Sequence, residues 1–278
     1  MLPEESLRQF EISVNRTDAQ IDLAHAALLI AVDADPALDI PYYLSVLDRM
    51  ANELRPRFDP AAAAIEQVSL LNDHLFGALG FRGNRDLYYD PRNSYLNDVL
   101  DRRLGIPITL SVVYMEIARR LGCPVFGVMM PAHFVVKWRT DDTVIFIDPF
   151  NEGQIIGQFA MPLNTESSEH TAMMARLRWL ETASSKQILA RILSNLHSIF
   201  IKTDSYAPAL NVIEKILVLE PRAAELKREA ALVAYRLGLY LRARHYLQEY
   251  LAKESNPDQA DQLQNLLNRI EEMILRVN

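Results

Sequence analysis

Apolar positions in the first half of this chain recur mostly every third or fourth residue, the period of an amphipathic helix. Thr17 and Gln20 stand at capping-box spacing, and Ala19 to Val32 follows as an apolar helix that Ala34-Asp35-Pro36 ends. Pro41 suits the first turn of a second helix running to about Leu54. After Asp59-Pro60, the positions Ile65, Val68, Leu71, Leu75 and Leu79 mark a third. The Gly, Asn, Asp and Pro residues between Gly80 and Asn93 read as a loop, and Tyr95 to Arg103 as a short helix. Ile106, Leu110, Val113, Ile117 and Leu121 then form one apolar stripe. They predict a buried helix with Gly105 before it, Pro107 in its first turn and Gly122 at its end.

Beyond Gly122 the period changes to two. Val125–Val128, Phe134–Trp138 and Val144–Ile147 read as short strands, the last two joined by the polar turn Arg139 to Thr143. Alternation places His133, Val135 and Lys137 on one face. If Trp138 pairs with Thr143, His133 falls opposite Asp148, with Cβ atoms about 5 Å apart. A register one residue different separates the pair.

From Ser184 the helical period returns and runs to the end. Tyr206, Ala209, Ile213 and Leu217 reappear 34 residues later as Tyr240, Ala243, Leu247 and Leu251. Glu220-Pro221 and Asn256-Pro257 close the equivalent helices. A period of that length, with a small residue where two helices meet and a terminal proline, is that of tetratricopeptide helix pairs. Gln259 to Leu275 reads as a capping helix.

Composition narrows the functional classes. The chain has 278 residues, half of them hydrophobic, which suffices for one large domain or two modest ones. A net charge of −7 with no basic stripe argues against nucleic acid. No apolar run approaches the roughly 20 residues that span a bilayer, and the opening MLPEESLRQF has no signal-peptide core. A single cysteine, Cys123, excludes an internal disulfide framework. The expectation is a cytoplasmic protein. Nine glycines and abundant Ala and Leu favour helix.

The chemistry converges on one hairpin. A carboxylate at Asp148 beside His133 would fix the imidazole tautomer, as in a catalytic triad. A satisfied, partly buried histidine and a strand-ending Asp148-Pro149 turn account for the same residues. A nucleophile belongs at the preceding buried helix's N-terminus, where the dipole lowers a thiol pKa. Pro107 stands there instead; it offers no attacking atom and removes an amide donor. Ser111, one turn deeper, is expected to bond the Pro107 carbonyl, and Cys123 to be a small buried hydrophobe. Asn93 to Leu96 is expected to cap and pack a helix beside the site. Glu116 with Arg119 and Arg120 reads as a solvated helix pattern. The six histidines, His25, His74, His133, His170, His197 and His245, show no metal-ligand spacing, and there is no phosphate-binding glycine loop. No cofactor or metal is therefore expected.

The blocks SYLNDVLDRRLGIPITLSVVYMEIARRLGCPV, PAHFVVKW and IDPFNEG resemble the transglutaminase-like SirB-type family, and the segment Lys186–Ile274 is similar to the tetratricopeptide module that follows it there. The resemblance implies an α+β, mostly helical fold: a transglutaminase-like (papain-like) domain with a small antiparallel sheet over residues 1–183, then an all-α tetratricopeptide-like domain over 184–278. Carried over, Pro107 falls on the nucleophilic Cys of active members, His133 on their His and Asp148 on their Asp. A related domain occurs in some eukaryotic F-box proteins that resemble substrate receptors for degradation. The expected function is a non-catalytic module binding a protein or peptide partner through the old cleft, the repeat face, or both. Tyr206 and Tyr240 are candidate contacts on that face, or packing residues. The alternative is a hydrolase or acyltransferase on amide bonds, using His133 and Asp148 with water or Ser111 as nucleophile.

Overall fold

The computed structural model describes residues 2–131, 133–160, 181–252 and 257–277. The chain divides into two compact units, Arg16–Ile192 and Met1–Asn15 with Leu193–Asn278. The first helix, α1 (Pro3–Val14), thus groups with the C-terminal helices.

In the Arg16–Ile192 unit, α2 (Leu23–Ala31) starts later than its sequence suggests. Thr17 bonds the Gln20 side chain at 2.8 Å, while Asp22 accepts from the His25 amide at 3.0 Å and so caps the helix. The carboxylate stands immediately before the apolar run, so it takes the capping role. Helices α3 (Ile40–Leu54) and α4 (Ala64–Asn72) follow, the latter passing into a π-helical turn over Asp73–Ala78. The expected loop contains β1 (Arg82–Gly83), which pairs in parallel with β2 (Leu104–Gly105) on either side of α5 (Leu96–Arg102).

Helix α6 (Pro107–Arg120) is buried continuously from Pro107 to Ala118. Its start is fixed by Thr109, whose Oγ1 accepts from the Ile106 amide at 3.2 Å and donates to the Asn93 carbonyl at 2.6 Å. Asn93 is itself fully buried and donates to the Leu87 carbonyl at 2.7 Å, tying the preceding loop down. Glu116 does not sit on a solvated face; it is 3% exposed. Arg119 lies 2.9 Å from its carboxylate, and Arg120, held to Asp48 at 2.7 Å, pairs with it too. With neighbours on nearly every side, this helix has no solvated stripe until its last turn.

The sheet is antiparallel, in the order β3 (Val125–Met130), β4 (His133–Arg139), β5 (Thr143–Asp148), β6 (Gln154–Ala160). The strand β6 was not expected. It lies at the sheet edge, carries Gly157 and a register shift, and leaves Ile155, Ile156 and Phe159 exposed, so its sequence does not alternate cleanly. The β4–β5 register also differs. Trp138 pairs with Ile145, not Thr143, because the hairpin closes on a tighter turn in which the Thr140 amide donates to the Thr143 carbonyl at 2.9 Å. That shift is two residues. Parity is kept, so His133 and Asp148 still share a face but become diagonal neighbours, with Asp148 across from Val135. Val128, Val135, Val144 and Phe146 pack together on that face. Phe134 and Ile188 meet at Gly127 on the other.

Helix α7 (Ser185–Lys202) opens on a reciprocal capping box: Ser184 N donates to Gln187 Oε1 at 2.8 Å, and Gln187 N to Ser184 Oγ at 3.2 Å. The division between the units falls within this helix. Next come α8 (Tyr206–Leu219), α9 (Ala224–Arg236), α10 (Tyr240–Leu251) and α11 (Pro257–Val277). Ala209 and Ala243, the small residues of the 34-residue period, are both fully buried. Leu210, Ile213, Ala230, Ala234, Leu247 and Ile270 form the core between these helices. Helix α1 joins the same unit through contacts with α8; Phe10 and Val14 are buried, and Lys215 Nζ donates to Ser6 Oγ at 3.0 Å. His170 and Asn256 lie outside the described residues.

Candidate functional site

The segment Asp148-Pro149-Phe150-Asn151-Glu152-Gly153 builds the site from its own local chemistry. Asp148 ends β5, and Pro149 sets the first turn of a 3-10 helix, Pro149–Asn151. Asp148 Oδ1 accepts from the amides of Phe150 and Asn151 at 3.0 and 3.3 Å. Its Oδ2 accepts from Asn151 Nδ2 at 2.6 Å and meets His133 Nε2 at 2.7 Å. The chain then turns through two left-handed residues, Glu152 at φ 54° and Gly153 at φ 76°. A Cβ at Gly153 would lie 2.5 Å from Asn72, so only glycine fits this turn.

The structure therefore brings together the two residues that the alternation pattern paired. The Asp148 side chain is nearly buried, whereas that of His133 is 30% exposed. A buried carboxylate holding four contacts serves first as the cap of its own turn, and the imidazole is one of its partners. With Nε2–H donated to the carboxylate, the other ring nitrogen, Nδ1, is left as an acceptor.

The remaining candidates are placed differently. Pro107 is buried at the first position of α6. Ser111 is fully buried, and its Oγ has no hydrogen-bond partner among the described residues, so the expected bond to the Pro107 carbonyl is not formed. Cys123 lies past the C-terminal end of α6, where burial pushes its thiol up to about 12. Among the described residues no group of three or more His, Cys, Asp or Glu side chains could hold a metal ion. No described helix is long and apolar enough to cross a membrane.

Sequence reasoning missed the partners of Asp148. Asn151 donates through Nδ2 to Asp148 and accepts through Oδ1 from Arg85 Nη2. The Arg85 guanidinium lies 5.4 Å from the centre of the Phe150 ring. The Asp-Pro-x-Asn spacing is a recognisable turn signal, but Arg85 is remote in sequence and leaves none.

In the helical unit, a cavity of about 750 Å³ is lined by Leu2, Leu210, Leu237, Tyr240, Leu241 and Arg242 among others. Arg242 sits between two acids, 2.7 Å from Glu4 and 3.4 Å from Glu214. Tyr240 lines this groove and Tyr206 does not. Tyr206 packs on the core, donates to Asp204 and accepts from Arg236, whose guanidinium lies 4.8 Å from its ring centre.

Known proteins match both regions. A model described as transglutaminase-like superfamily matches residues 42–194, and a tetratricopeptide-repeat model matches 196–268. A UPF0162 protein of Xylella fastidiosa is 38% identical over 244 residues, covering 84% of each chain. A UPF0162 protein of Vibrio cholerae is 31% identical over 51% of this chain and 53% of its own. Mouse F-box only protein 21 is 30% identical over 62% of this chain but 28% of its own length. The α6–β4–β5 arrangement and the 34-residue helical period agree with those matches, and the chain belongs to the transglutaminase-like superfamily, among its UPF0162 (SirB-type) proteins with tetratricopeptide repeats.

Proposed function

We propose that this chain is a non-catalytic transglutaminase-like protein, cytoplasmic, that binds a protein or peptide partner through the groove of its helical unit. The groove carries this reading. Leu239 and Leu241 stand 40% and 62% exposed on its lining, and Leu2 76%. A contiguous apolar patch of this kind is a feature of interaction surfaces. Glu4 and Arg242 neutralise each other there, so the groove suits the apolar face of an amphipathic segment better than a charged one. Pro107 supports the non-catalytic part, since it offers neither thiol nor hydroxyl and the Thr109 hydroxyl of the same turn is committed to the Asn93 carbonyl.

A photo-crosslinking residue in place of Leu239 in the intact chain would trap the partner. The purified partner is then titrated against wild type, Leu241→Asp and His133→Ala. Leu241→Asp is expected to weaken binding at least about tenfold, about 1.4 kcal/mol, with His133→Ala unchanged. Undiminished binding by Leu241→Asp overturns the proposal, and trapping of a second copy of this chain alone recasts the groove as a self-association surface.

The His133–Asp148 bond favours a second reading, a hydrolase or acyltransferase in which the imidazole activates water toward an amide bond. Amide turnover that persists through purification and vanishes in His133→Ala would establish it over the first.

A further inference from the structure

A second recess lies beside the Asp148 turn. It has a volume of about 340 Å³ and is lined by Arg82, Gly83, Arg85, Phe150, Asn151 and Glu152. We infer that this recess binds a carboxylate presented by an acidic peptide segment. This goes beyond the groove reading and involves a different surface.

Charge is the first argument. Arg82 and Arg85 are both exposed, and neither is in an ion pair among the described residues. Glu152 is the one acid among the lining residues, so the recess carries an excess of positive charge. Guanidinium groups recognise planar oxyanions through paired N–H donors.

Preorganisation is the second. Arg85 is held by the Asn151 side-chain oxygen Oδ1 and by the Phe150 ring, so little side-chain freedom remains to be lost on binding. Asn151 cannot turn away without breaking its 2.6 Å bond to Asp148. The floor is equally fixed. A Cβ at Gly83 would lie 2.6 Å from the Phe150 ring, so the strand approaches that ring as only glycine allows.

The surroundings supply the third. Tyr88 packs edge-on against Phe150 at 6.0 Å and against Tyr89 at 5.3 Å. Tyr88 is 38% exposed, Leu87 61% and Tyr89 67%. Arginine and tyrosine together match the composition of binding hot spots. The recess takes the carboxylate, and the aromatic loop takes the apolar residue beside it.

Three short probes test this on the intact, isotope-labelled chain: N-acetyl-Phe-Glu-amide, N-acetyl-Phe-Gly with a free C-terminus, and the neutral N-acetyl-Phe-Gln-amide. The Nε–Hε signals of Arg82 and Arg85 and the side-chain amide of Asn151 are followed by NMR. Both carboxylate probes are expected to shift these signals saturably, and the neutral probe is not. Whichever carboxylate saturates at lower concentration identifies the source, an acidic side chain or a peptide C-terminus. Arg85→Gln and Arg82→Gln should each weaken binding by about tenfold with unchanged circular dichroism. Leu241→Asp should bind the probes normally, which separates this result from the fate of the groove. Equal shifts from the neutral probe, or full affinity in both arginine variants, overturn the inference.

Discussion

The two units hold their candidate surfaces by opposite means. In Arg16–Ile192, a line of directional contacts runs from Arg85 through Asn151 and Asp148 to His133, and each group is oriented by the next. In the helical unit, the groove around Tyr240 and Leu241 is shaped by packing over an aliphatic core and has mostly apolar walls. The contrast explains how a His–Asp pair can persist without a nucleophile. Asp148 is needed to close its own turn, and His133 shares that carboxylate whatever the chemistry. The groove carries no such obligation; Leu2, Leu239 and Leu241 on its lining remain exposed and take no part in the core.

The largest expected effect breaks one unit and spares the other. Phe10 is fully buried in the helical unit, far in sequence from the helices it packs with. Phe10→Ala should cost about 3–5 kcal/mol through lost burial and the cavity left behind. Trp138 is buried in the other unit, and Trp179 lies outside the described residues. Urea unfolding followed by far-ultraviolet circular dichroism should therefore acquire an early helical transition, while tryptophan fluorescence keeps its midpoint. Equal shifts by both probes would mean that the two units unfold as one and that the comparison fails.

A smaller effect sharpens the directional side. Asp148→Ala leaves the Phe150 and Asn151 amides, the Asn151 side chain and His133 without their acceptor, at a cost of about 2–4 kcal/mol. Asp148→Asn can keep the oxygen that caps the turn and should cost about half of that. His133→Ala removes one partly exposed group and should cost less than about 1 kcal/mol. Chemical denaturation of the three variants gives the ranking. If His133→Ala proves as costly as Asp148→Ala, the imidazole and not the turn is what the carboxylate serves.

Local pattern made much of this legible. The stripe from Ile106 to Leu121 gave α6, the alternation from His133 gave β4, and the spacing of Ala209 and Ala243 gave the repeat, because each rests on contacts within a few turns. What escaped detection depends on partners distant in sequence. Helix α1 buries only Ser6, Phe10 and Val14, and nothing in MLPEESLRQF names α8 as their neighbour. The edge strand β6 lacks alternation because none of its described side chains is buried in the core. The two-residue slip in the hairpin came from the turn, where Thr140 and Thr143 close more tightly than the polar run Arg139 to Thr143 suggests. Glu116 looked solvated because its arginine neighbours are charged; their role is to accompany it into the interior.

The smallest effect concerns the two ends of α6. Its N-terminus, where the dipole would stabilise a thiolate, holds Pro107; its other end, where the dipole opposes one, is followed by Cys123. Burial raises that thiol from its ordinary value of 9.0 to about 12. For an acid whose folded pKa lies above its unfolded one, the fold favours the neutral form. The associated stability is complete below pH 9 and is lost as the pH rises toward 12. At pH 8.5, iodoacetamide should modify the native chain at least about tenfold more slowly than the chain unfolded in guanidinium. Each unit of pH added above 9 should lower the native stability further, and Cys123→Ala should flatten that slope. Rapid native alkylation would restore Cys123 as a nucleophile, and the reading of this unit as chemically silent would fall.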